Sequence, residues 1–74
     1  MDMMNILEVG TKVYAVIDKH GYSPYIAIDC IGKITIRRTK IEYWLEFSDH
    51  DVDDYEVFKT EAEAEGYIRN LPKD

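Results

Sequence analysis

The sequence predicts an α+β domain: a small, bent antiparallel sheet of about four strands followed by one C-terminal helix. Three observations carry this reading. Residues 25–37, YIAIDCIGKITIR, alternate with period two, the repeat of a strand with two unlike faces. Residues 40–48, KIEYWLEFS, alternate again after a short polar turn. Residues 59–72, KTEAEAEGYIRNLP, switch to the three-to-four-residue spacing of an amphipathic helix.

Each element follows from local chemistry. Gly10-Thr11 signals a turn, after which Val13, Ala15 and Ile17 alternate with Lys12, Tyr14 and Val16 as a first strand. DKHGYSP, residues 18–24, is a loop in which His20-Gly21 makes a tight turn and Pro24 starts the next extended run. In that run Ile26, Ile28, Cys30, Gly32, Ile34 and Ile36 form the expected core face. It is one long strand, or two segments joined by a bend at Gly32.

If Arg38-Thr39 is a two-residue turn, Ile36 stands opposite Ile41 and Ile34 opposite Tyr43. Ile41, Tyr43, Leu45 and Phe47 then share one face, and Glu42, Trp44 and Glu46 the other. YEVF, residues 55–58, is a short fourth strand. Thr60 is the expected helix N-cap, with Glu63 at the capping-box spacing. Ala64, Tyr67, Ile68 and Leu71 form an apolar stripe that must pack on the sheet. A short bent meander of this order curls into an SH3-like half-barrel, whose open side the helix is expected to plug.

The frame VGTKVYAVID…IGKITI…EYWLEF…YEVFKTEAEAEGYI resembles small bacterial and phage-encoded SH3-like β-barrel proteins with a C-terminal "vFxTxEEAexyi" helix. The resemblance spans most of the chain and implies the barrel and the helix. It rests on turn, alternation and cap motifs and carries no functional residues.

At 74 residues the chain is read as a single domain, 1–74. With 46% hydrophobic and 32% charged residues it has a globular rather than a disordered composition. The net charge of −6 disfavours direct nucleic-acid binding, which draws on Lys and Arg. One cysteine, Cys30, excludes an internal disulfide and is expected to be a buried small hydrophobe. The first ten residues have no signal-peptide pattern, and no apolar run spans a membrane, so the expected location is cytoplasmic.

Charge is unevenly distributed. Residues 1–41 hold six Lys/Arg and four Asp/Glu, a net +2, whereas residues 42–65 hold one Lys and ten Asp/Glu, a net −9. Concentrated self-repulsion suits a basic partner, and it also serves solubility. Trp44 between Glu42 and Glu46 reads either as an interface anchor or as a cross-strand cover over Ile31 and Lys33. The predicted partner-binding residues are Glu42, Trp44, Glu46, Asp49, Asp51, Asp53, Asp54 and Glu56.

Asp49-x-Asp51-x-Asp53 has the spacing that opens an EF-hand loop, but Asp54 stands where that loop needs Gly and Thr60 where it needs Glu. No metal, cofactor or catalytic residue is predicted, and no triad can be built on His50. Tyr14, Tyr22, Tyr25 and His20 offer a lesser reading as an aromatic groove for peptides. The expected function is a non-enzymatic, acidic protein-interaction module with a basic protein partner. By size and charge it resembles phage-encoded inhibitors such as anti-CRISPR proteins. The alternative is a self-associating domain, a homodimer through a Trp44–Ile31 patch.

Overall fold

The computed structural model describes residues 7–19, 21 and 23–72. Strand β1 is Lys12–Ile17, β2 is Tyr25–Ile36, β3 is Ile41–Leu45 and β4 is Tyr55–Phe58, with a 3-10 turn at Val52–Asp54 and helix α1 at Glu61–Arg69. The strands form one antiparallel sheet in the order β3-β2-β1-β4, curled into a half-barrel. His20 and Tyr22 of the aromatic-groove reading lie outside the described residues.

Local signals set the entry and the turn. Thr11 N–H bonds to the Glu8 carbonyl at 3.0 Å, closing a turn in which Gly10 holds a φ of 94°, the left-handed region glycine favours. The Arg37 N–H bonds to the Lys40 carbonyl at 2.8 Å, so Arg38-Thr39 is indeed the hairpin turn. Ile36 pairs with Ile41 and Ile34 with Tyr43, as the alternation predicts.

The long strand departs from its expected parity. Ile31 pairs with Leu45 and Lys33 with Trp44, which leaves one extra residue at Gly32, a β-bulge. An extra residue inverts which side chains face inward. Before the bulge the odd positions Ala27 and Ile31 face the barrel interior; after it the even position Ile34 does. Ile28 and Ile36, expected in the core, are 65% and 69% exposed. Cys30 is half-buried beside Lys12 on the outer face rather than in the interior. A Cβ on Gly32 would lie 2.9 Å from the Glu46 Cα, so backbone proximity here requires glycine.

The interior core is Val13, Ala15, Ile17, Ile31, Leu45 and Tyr55, with Tyr43, Val52 and Val57 packed at its margin. Val16 and Ala64, both fully buried, belong to a second layer. Phe58 stands opposite Tyr14 on the outer face of the sheet, and its ring lies 5.1 Å from that of Tyr67 on the helix. The helix therefore covers the outer face of β1 and β4 instead of plugging the open side. Thr60 caps it, its Oγ1 accepting the Glu63 N–H at 3.2 Å. Phe47, expected inward, is 81% exposed because β3 ends at Leu45.

Candidate functional site

The acidic segment divides into carboxylates that the protein neutralises and carboxylates that it leaves to solvent. Glu42 belongs to the first group. Its side chain is 8% exposed, 3.0 Å from Arg37 Nε and 3.5 Å from Lys40 Nζ. The Arg37 hydrogen bond holds its carboxyl below the usual range, against a smaller opposing effect of burial, with Lys40 adding to the lowering. It is thus an internal ion-pair centre and not part of an outward negative face. Asp53 lies 3.9 Å from the same Lys40.

Trp44 is half-buried. Its indole N–H donates to Thr35 Oγ1 at 3.1 Å, and Lys33 Nζ lies 4.7 Å from the ring centroid. This is the cross-strand arrangement, with Lys33 as cover. Ile31 takes no part: it is 1% exposed in the interior, so the Trp44–Ile31 patch of the homodimer reading does not form.

Glu46, Asp49, Asp51 and Glu56 are exposed, and Asp54 is half-buried at the end of the 3-10 turn. The Glu46 side chain folds towards Gly32, and its N–H bonds to the Cys30 carbonyl at 2.8 Å. Glu56 stands opposite Val16, beside the helix. Burial, then the charges of Glu56 and Asp18, push the Tyr67 phenol up. Among the described residues no three His, Cys, Asp or Glu side chains converge as metal ligands would, and no helix is long and apolar enough to cross a membrane.

What the fold assembles is a seam. The sheet ends at β3 on one side and β4 on the other, and the curl brings these edges face to face. Between them lies a groove of about 320 Å³ lined by Glu42, Asp53, Glu56 and Lys40 beside Ile41, Tyr43 and Val57. A wider trough of about 760 Å³ shares Ile41, Tyr43, Glu56 and Val57 and continues to Glu63 and Tyr67 on the helix. Trp44, Glu46, Asp49 and Asp51 do not line either. Of the predicted residues the structure therefore unites three and leaves the others on separate surfaces.

Two contributors escape a reading by strand alternation. Tyr55 donates its phenol to the Tyr43 carbonyl at 2.6 Å, crossing the seam. Asp29, 6% exposed, accepts from the Cys30 N–H at 2.7 Å, the Phe47 N–H at 3.1 Å and the Ser48 hydroxyl at 2.6 Å, fixing the start of the acidic loop. Its signal was available: it is the one charge within the apolar run 26–32. Compared with family models, with curated proteins and with solved structures, the chain matches none.

Proposed function

We propose that this chain is a non-enzymatic protein-interaction module that docks on a basic protein surface. The observation that supports it is the imbalance of ion pairing. Residues 42–65 carry ten carboxylates, and among the described residues ion pairs reach only Glu42 and Asp53. The remaining negative field points outward, where it steers and holds a positively charged partner. Asp53 and Glu56 at the seam are the proposed centre of this surface, and Asp51 and Asp54, outside the seam, add to its field. Glu42 acts from within, holding Arg37 and Lys40 at the hairpin end.

The narrowest form of this reading is a cytoplasmic inhibitor, encoded by a phage or mobile element, that occupies the basic groove of a nucleic-acid-handling protein. Small size and net charge of −6 support it. The test is capture of a basic protein from lysate at low and high salt, with wild type and with Asp51, Asp53 and Asp54 reversed to Lys. Capture that falls with salt and is lost on reversal supports the reading. Capture indifferent to both removes it.

A second reading is self-association at Trp44, favoured by the exposure of Phe47 three residues on. Sedimentation separates the two. A stable dimer that dissociates on Trp44→Ala supports self-association, and a monomer at all accessible concentrations rejects it.

A further inference from the structure

We propose that the β3–β4 seam takes an extended peptide as an added strand along β4, and that the peptide alternates basic and apolar residues. The inference rests on the basic-partner reading above and names the partner's form.

The main chain supplies the first argument. In an antiparallel ladder, residues whose N–H and C=O point to the neighbouring strand alternate with residues whose groups point away. Asp18 N–H bonds to the Asp54 carbonyl at 2.8 Å, so Asp18/Asp54 is a hydrogen-bonded pair. Counting along the register, Val16/Glu56 is the next such pair, and Ile17/Tyr55 and Ala15/Val57 lie between. Tyr55 and Val57 thus turn their N–H and C=O away from β1, into the seam. The same count from Arg37/Lys40 turns the main-chain groups of Ile41 and Tyr43 away from β2, into the seam from the other side. Tyr55 Oη satisfies the Tyr43 carbonyl. Among the described residues, β4 is an edge strand and Val57 has Ala15 of β1 as its strand partner, so no second strand meets its outward groups. Exposed edges of this kind pair with extended chains.

Side chains supply the second argument, and with it the sequence pattern. Residues directly opposite each other share a face of the sheet. A residue added opposite Val57 faces the interior, where Ile41, Tyr43 and Val52 form the apolar part of a groove that Lys40, Glu42 and Asp53 also line. Its neighbour, opposite Glu56, faces outward near Glu56 and Glu63, two carboxylates against the single Lys59 in the lining of the wider trough. Apolar in and Lys or Arg out is therefore the complementary alternation.

The test uses three synthetic peptides of equal charge on the whole chain: one alternating Lys and Val, one with its Lys and Val in separate blocks, and one alternating but N-methylated on the residues that would pair with β4. Binding is followed by calorimetry and by amide shifts of Val57 and Ile41. The alternating peptide binds and moves both amides. Blocking the sequence or methylating its main chain weakens binding about tenfold, the loss of one to two hydrogen bonds. The protein-side counterpart is Val57→Pro, which removes an outward N–H without cutting the bond ladder to β1, and Glu56→Lys, which reverses the outer charge. Equal, salt-sensitive binding of all three peptides overturns strand addition but leaves the acidic-surface reading standing. No binding of any peptide overturns strand addition as well, and salt-dependent protein capture then judges the broader reading alone.

Discussion

The Tyr55 phenol on β4 donates a 2.6 Å hydrogen bond to the Tyr43 carbonyl on β3, joining the two edge strands across the open seam. Tyr55 is 9% exposed and also part of the interior core, so one side chain closes the barrel both by packing and by a polar bridge. The half-barrel is held at this point without a backbone ladder between its edges.

Replacing Tyr55 by Phe keeps the packing and removes the bridge. The expected cost is about 0.5–1.5 kcal/mol, that of one neutral hydrogen bond. Urea denaturation measures it as a lower midpoint at unchanged slope. An unchanged midpoint would mean that the bridge contributes nothing to closure.

Alkaline pH tests the same bond by another route. Burial first, with nearby carboxylates adding to it, holds the Tyr55 phenol above its ordinary range, and Tyr67 is raised in the same sense. A group whose pKa is higher folded than unfolded stabilises the fold below its unfolded value, near 10 for Tyr, and loses that contribution as pH climbs through the folded value. Stability is therefore expected to drop above pH of about 10, and less steeply in Tyr55→Phe. Thermal unfolding across this range reads both slopes.

The acid limb belongs to Asp29 and Glu42. Burial alone pushes the Asp29 carboxyl up, but the Ser48 hydroxyl and the N–H groups of Cys30 and Phe47 together bring it below its usual value. The Arg37 hydrogen bond, with Lys40 in support, does the same for Glu42. Both groups stabilise the fold above their unfolded pKa values, about 3.9 and 4.3, and that stabilisation is lost as pH falls through the lower folded values. Asp29→Asn is expected to cost about 1.5–3 kcal/mol at neutral pH, the range for hydrogen bonds to a charged group, and to flatten the acid limb. Equal acid sensitivity of wild type and both Asp29→Asn and Glu42→Gln would reject the assignment.

Two glycines predict opposite outcomes. Gly32→Ala places a methyl against the Glu46 backbone and is expected to destabilise by about 1–3 kcal/mol, the range for overpacking. Gly66→Ala meets open space within helix α1 and is expected to stabilise by about 0.5–1 kcal/mol through helix propensity. Paired denaturation curves check the sign of each.

The contrast between these elements explains what the sequence made legible. The β2–β3 register follows from a two-residue turn at Arg38-Thr39 and from adjacent apolar residues, all local information. The Thr60 cap is local too. The inward face of β2 does not follow from alternation, because a bulge inverts parity at Gly32 and because β1 and β2 carry apolar residues on both faces. Alternation does give the strand face of Trp44 and Glu42, opposite Tyr43 and Leu45. Their partners, Lys33 and Thr35 for one and Arg37 and Lys40 for the other, depend on the neighbouring strand and the hairpin end. The seam was hidden for a further reason: it arises only from the curl that brings the first and last strands of the sheet order together. Acidic charge is a property of the sequence, whereas its division between paired and free carboxylates is set by the hairpin and the curl of the sheet.

Strand β1 is covered on both sides, with Val13, Ala15, Val16 and Ile17 at most 1% exposed. Its two neighbours lie at very different distances along the chain, since Ile17 meets Tyr25 through a short hairpin and Tyr55 only after the rest of the sheet. The expected order of folding follows from loop closure: the β1–β2 hairpin first, and the distant β4–α1 unit later, shutting water out of Val16. That late closure is expected to set the rate, in the milliseconds-to-seconds regime of barrels built on non-local pairing.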